Sequence, residues 1–287
     1  MNNLSQKAML VSLTLGSWGA TKSDRDLSRE LVANCEAEDG SLMASKRIVN
    51  KRMLKSVKNI DLKIRNTFNE VTLPWSAKSH ILPIQNVWTV RETIYKLFDE
   101  RSEKVEEFLS WYARFLDENS VNFHGTAYNP DDFPTVEEVR SKFHARLDFA
   151  PVGEVTDFRN ENPDIEKLVS ETAKFAEEEV SKTILRRVIS KLSNFVTALE
   201  KYSDQDPSEE FDKRAGSFRN ATVEKVRDLI NELPALNITN NKEINLLILD
   251  LKDKFPYDAD MLRSDELARK ESMSEAEKLL DSLSAWI

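Results

Sequence analysis

Residues 43–68 read MASKRIVNKRMLKSVKNIDLKIRNTF, and the sorting of charged from apolar side chains in that stretch decides how the chain is read. Eight basic residues, Lys46, Arg47, Lys51, Arg52, Lys55, Lys58, Lys63 and Arg65, face a single acid, Asp61. On a helical projection Val49, Met53, Leu54, Val57, Ile60, Ile64 and Phe68 share one arc, while Arg47, Lys51, Lys55, Lys58 and Arg65 share the opposite one. The pattern predicts one continuous amphipathic helix over 43–68, entered from the Asp39-Gly40 turn and capped by Ser41. The stretch between Lys46 and Arg65 carries +7 in a chain of net charge −9, which leaves −16 on everything else. A basic surface on an acidic body reads as a docking face, with Arg47, Lys51, Lys55, Lys58 and Arg65 as its partner-binding residues.

The face reads either as a plain solvated polar surface or as one that meets one of four kinds of neighbour. One is the chain itself: between Phe115 and Val139 stand six acids (Asp117, Glu118, Asp131, Asp132, Glu137 and Glu138) and no Lys or Arg. The others are an acidic protein, the phosphates of a nucleic acid, which Lys and Arg rows contact without regard to sequence, and last a membrane surface.

Outward from this stretch the chain reads as mainly α. Residues 8–15 alternate, with Met9, Val11, Leu13 and Leu15 opposed to Ser12 and Thr14, and so predict a half-buried strand. Its expected partner is 143–149, where Phe143, Ala145, Leu147 and Phe149 alternate with His144, Arg146 and Asp148. A short helix after Thr21-Lys-Ser23 would place Leu27, Leu31 and Cys35 on a buried stripe. Residues 73–75 and 81–83 read as loop. A long helix follows over about 85–118, with Val90, Ile94, Leu97, Val105, Phe108, Tyr112 and Phe115 at three/four spacing.

A second long helix is predicted over about 164–203. Leu185, Val188, Leu192, Phe195, Leu199 and Tyr202 alternate at three and four residues, a coiled-coil-like helix seam that serves an internal bundle contact or self-association. Further helices are expected at about 208–233, 241–254 and 264–286, parted by Pro234 and Pro256. The expected architecture is a long-helix bundle or helical hairpin with a small β element near the N-terminal half. The expected division is 1–155, a mixed region with the short β element and the basic amphipathic helix, and 156–287, a helical bundle.

Composition narrows the chemistry. Six glycines in 287 residues, with neither GxxxxGK[ST] nor GxGxxG, exclude the usual phosphate-cradling loops. The single cysteine, Cys35, excludes an internal disulfide or a thiolate cluster and reads as a small core residue in a reducing, cytoplasmic setting. His80, His124 and His144 lie too far apart in sequence to read as a ligand motif, so no metal or other cofactor is expected. Trp18, Trp75, Trp88, Trp111 and Trp286 read as packing residues rather than base-stacking ones. Thr135 and Glu138 form a capping box that accounts for the acids around the Phe133-Pro134 turn. The short, Ser/Thr-interrupted apolar run after Met1–Lys7 lacks the pattern of a secretory leader, and no stretch approaches the ~20 apolar residues of a membrane span. No catalytic motif emerges.

Several segments, Ala8-Met-Leu-Val-Ser-Leu-Thr-Leu-Gly-Ser-Trp18, Asn66-Thr-Phe-Asn-Glu-Val-Thr-Leu-Pro-Trp75, Ile81-Leu-Pro83, Asp132-Phe-Pro134 and Pro151-Val-Gly-Glu-Val-Thr-Asp-Phe-Arg159, carry a resemblance. Taken in order over roughly residues 8–235, the chain resembles domain-of-unknown-function proteins encoded by tailed phages and integrative elements. Members are often encoded near a MoxR-type AAA+ ATPase and a cobaltochelatase-like protein with a von Willebrand A domain. The resemblance implies a phage or mobile-element origin and one of those proteins as partner, and supplies no site residues. The expected function is a non-enzymatic interaction protein, adaptor or substrate of an AAA+ ATPase. The alternatives are a nucleic-acid-binding accessory in replication or recombination and a structural virion component.

Overall fold

Alternation over Ala8–Gly16 builds the central strand, β1, of a four-stranded sheet in the order β4-β5-β1-β6. Its neighbours are β5 (His80–Pro83) and β6 (His144–Pro151), with β4 (Leu73–Pro74) on the far side of β5. Met9 stands opposite Leu82 and Val11 opposite His80 in an antiparallel register. The pairing of β1 with the 143–149 region is as expected; β4 and β5 are strands where a loop is predicted. The computed structural model describes residues 4–118, 123–125, 128–152, 163–203 and 220–284. The expected boundary between 155 and 156, the start of the 208–233 helix and Trp286 therefore lie outside the described residues.

Helices dominate the rest, in a mainly α fold. After the single turn α1 (Leu4–Lys7) come α2 (Arg25–Asn34), α3 (Lys55–Val71), α4 (Val87–Glu118) and α5 (Val136–Lys142). Then follow α6 (Pro163–Ser203), α7 (Asn220–Leu236), α8 (Lys242–Lys254), α9 (Ala259–Ser264) and α10 (Glu266–Ser284). Pro234 sits in the last turn of α7 instead of ending it.

The chain divides into two compact units that do not follow chain order. One comprises 1–11, 72–87 and 149–287, the other 12–71 and 88–148. The first unit thus draws segments from both sides of position 155. The reason is packing: Leu4, Ala8, Leu73 and Ile81 join the apolar core of α6, α7, α8 and α10. In that unit Leu185, Val188, Leu192, Phe195, Leu199 and Tyr202 are all buried, and α6 packs against α10 and α7. All six seam side chains are thus covered within the chain.

In the second unit the α4 stripe predicted from spacing is buried throughout, and Val105, Phe108, Tyr112 and Phe115 share a core with Ile48, Val49, Leu54 and Val57. Trp18 packs edge-on to Tyr112 at 5.3 Å, and the Tyr112 hydroxyl donates to the Pro134 carbonyl at 2.8 Å. The Thr135/Glu138 capping box opens α5.

The continuous helix expected over 43–68 is corrected by the structure. Ala44–Arg47 form strand β3, paired antiparallel with β2 (Thr21–Asp24); Lys51–Leu54 form a 3-10 turn; only from Lys55 does the α-helix run. The cause is Asn50, whose side chain accepts from the Arg52 N–H and caps the turn, so that the helical path starts there and not at Ser41. The apolar stripe survives the break, since Val49, Leu54, Val57, Ile60, Ile64 and Phe68 are all buried.

A second correction concerns α2. Asp24, not Thr21 or Ser23, caps it through the Leu27 N–H, and the helix buries no residue. Leu27, Leu31 and Cys35 are exposed, because α2 is tied to β3 through Ser28, whose hydroxyl accepts from Ala44 N–H at 2.9 Å. Trp88, expected to pack, is 71% exposed at the start of α4, with the Arg91 guanidinium 5.9 Å from its ring centre.

Candidate functional site

Helical spacing puts Lys55, Lys58 and Arg65 on the solvent side of α3, within an arc of about 80° that also holds Leu62. Lys51 precedes them in the 3-10 turn, and Arg47 stands on β3. The five residues predicted as one helical face therefore fall on three consecutive elements, and all five are exposed. Among the described residues none of the five, nor Arg52, makes an ion pair. Leu62 is 56% exposed, an apolar side chain set in a cationic row about 20 Å long.

The other two basic residues of the stretch behave differently. Lys46 Nζ lies 2.7 Å from Asp24 and 3.1 Å from Asp132, and Lys22 lies 3.0 Å from the other Asp132 oxygen. Lys63 pairs with Glu100 at 2.9 Å. The acidic segment 115–139 thus reaches the basic stretch through Asp132, and it takes Lys46 rather than the row on α3. The Lys46 hydrogen bond holds the Asp24 carboxyl below its usual range. Burial pushes Asp132 up, but hydrogen bonds from Lys22 and Lys46 outweigh it and leave that carboxyl low as well.

The one acid of the stretch is turned inward. Asp61 sits at the edge of the buried α3 arc and is 3% exposed. Arg101, 4% exposed on α4, places Nε 2.6 Å from Asp61 Oδ1 and donates through Nη2 to the Gly16 carbonyl at 2.6 Å. Ser17 Oγ donates to Asp61 Oδ2 at 2.5 Å. The Gly16-Ser17 corner that ends β1 is thereby clamped, and the outward face of α3 keeps its cations with no carboxylate between Lys51 and Arg65. This network was missed by sequence reasoning, although its signal was present. Arg101 falls four residues from both Leu97 and Val105, inside an otherwise apolar stripe, and Asp61 falls four from Val57. Two opposite charges intruding into two apolar stripes predict a buried pair.

The histidines occupy packed or tethering positions. His80 Nδ1 lies 2.8 Å from Thr72 Oγ1, and burial, then the nearby Arg187 guanidinium, lowers its pKa. His124 Nε2 lies 2.6 Å from the Arg47 carbonyl. The His144 ring lies over Gly16, where an added Cβ would collide with it. Among the described residues no group of three His, Cys, Asp or Glu side chains could hold a metal ion, and no helix is long and apolar enough to cross a membrane. Comparison with protein-family models, with curated proteins and with solved structures returns no match.

Proposed function

We propose that this chain is a cytoplasmic, non-enzymatic interaction protein that docks an acidic face of a protein partner through Lys51, Lys55, Lys58 and Arg65, flanked by Arg47 and Arg52. The observation that carries the reading is the contrast within one stretch: Lys46 and Lys63 are ion-paired, whereas the row on α3 has no ion pair among the described residues. Exposed cations contribute little each, roughly 0–1 kcal/mol per pair, but a row of one sign speeds encounter and sets register. Leu62 adds an apolar contact in mid-row, which favours a protein over a phosphate backbone. The resemblance drawn from the sequence nominates a MoxR-type AAA+ ATPase, with the chain as adaptor or substrate, or a von Willebrand A protein as that partner.

Pull-down with the purified ATPase, with and without ATP, tests the reading. Retention that is lost on Lys55→Glu/Lys58→Glu supports it; no retention in either nucleotide state counts against it.

A second reading, nucleic-acid binding, draws on the inward turn of Asp61, which leaves the row without an opposing carboxylate. It requires affinity for duplex or single-stranded DNA that falls steeply with salt, with a log–log slope of about −0.7 to −0.9 per phosphate neutralised. Salt-insensitive or absent binding removes it.

A further inference from the structure

The turn that opens the basic row also lines a groove of about 530 Å3 in the same unit. Trp111 stacks on Phe115 with ring centroids 5.1 Å apart, and Phe123 stands edge-on to Phe115 at 5.7 Å. Phe123 is held in turn by the His124 ring at 5.3 Å, and His124 is tethered to the Arg47 carbonyl of β3. Met53 adds a flexible thioether to the lining, and the turn that carries it also carries Lys51 and Arg52. Arg114 and Glu118 complete the lining one helical turn apart on α4, and neither is ion-paired among the described residues.

The chemistry of this lining narrows its occupant. Three aromatic rings and a methionine form a surface whose natural complement is an aromatic side chain, inserted in offset or edge-to-face contact. Arg114, with Lys51 and Arg52 beside the groove, favours carboxylates around that side chain. Glu118 can accept an N–H from a peptide but repels a run of phosphates, which disfavours a nucleic-acid strand. We infer that the groove is the anchoring pocket of the docking face, and that it takes one aromatic side chain from an acidic segment of the protein partner. This rests on the proposed docking function and specifies its partner. A rigid aromatic corner beside a charged rim is the arrangement in which a few residues carry most of an interface's affinity.

Fluorescence anisotropy with the full chain and three labelled probes tests it: a short Asp/Glu-rich peptide with one central Phe, the same peptide with Ala in that place, and oligo-dT. The Phe peptide is expected to bind about tenfold tighter than the Ala peptide, the gain of one well-seated ring. Phe123→Ala should erase that preference, whereas Lys55→Glu/Lys58→Glu should weaken both peptides equally. Should Phe123→Ala fail to fold, Met53→Ser reads the same lining. Equal binding of the two peptides overturns the pocket and leaves the docking row standing. Binding of neither peptide overturns both. Tightest binding of oligo-dT, weakened by Phe123→Ala, overturns the peptide assignment in favour of base stacking.

Discussion

Arg101 Nε lies 2.6 Å from Asp61 Oδ1, joining α4 to α3 at a point where both side chains are almost wholly withdrawn from water. The pair fixes the rotation of α3 about its own axis, since Asp61 cannot turn outward without stranding a guanidinium in the core. That rotation presents Lys55, Lys58 and Arg65 to solvent. Breaking one side of such a pair costs about 3–5 kcal/mol, because the remaining charge stays buried and unpaired. Asp61→Ala and Arg101→Ala are each expected to lose that much in urea unfolding, whereas Asp61→Leu/Arg101→Met recovers most of it. Additive losses in the double variant would contradict the coupling.

The close approach at the end of β1 makes a separate prediction. A methyl group at Gly16 would fall onto the His144 ring. Gly16→Ala is expected to cost about 1 kcal/mol or less, because every atom the methyl would meet belongs to the ring end of one side chain, which can swing aside. The His144 side chain is exposed, so His144→Ala in the same chain should relieve most of that loss. Equal costs in both backgrounds, read from denaturation midpoints, would mean that the strand end gives way elsewhere.

Acid sensitivity should concentrate at Lys46. Asp24 and Asp132 both titrate below their ordinary value of 3.8 in the folded chain. Their contribution to stability is therefore complete above about pH 4 and is lost as pH falls through the lowered values, because the unfolded chain takes up protons first. Lys46→Met should flatten the fall in urea midpoint between neutral and strongly acid pH. An unchanged fall would place the acid-sensitive groups elsewhere.

Along α6, Leu192 is 1% exposed and Phe195 is 2% exposed within one core. Leu192→Ala is expected to cost about 2–5 kcal/mol. It should leave the sedimentation-derived mass where the wild-type chain has it, because the seam already faces the chain's own helices. A drop in mass would show that the seam also joins copies.

Long periodic helices were legible in the sequence because their burial obeys spacing: every apolar position expected on α4 is buried. The rim residues were also placed on the correct side of the chain, since Lys55, Lys58 and Arg65 oppose Ile60, Ile64 and Phe68 on one helix. The pairing of β2 with β3 was not legible. Thr21-Lys-Ser-Asp24 and Ala44-Ser-Lys-Arg47 are short, polar and without alternation, and a salt bridge from Lys46 to Asp24 links them. Periodicity likewise says which side chains share a face but not what covers it, which is why Leu27, Leu31 and Cys35 could be placed together on α2 yet wrongly buried. Asn50, an ordinary helix cap in mid-stretch, was the residue that divided the predicted helix.

Lysine acylation of the free chain, followed residue by residue by mass spectrometry, tests the central claim most directly. Lys51, Lys55 and Lys58 should react several-fold faster than Lys46, whose ammonium is held by Asp24 and Asp132 and titrates above its usual range. Reaction of all four at one slow rate would mean that the chain's own carboxylates already occupy the row, and would contradict the account.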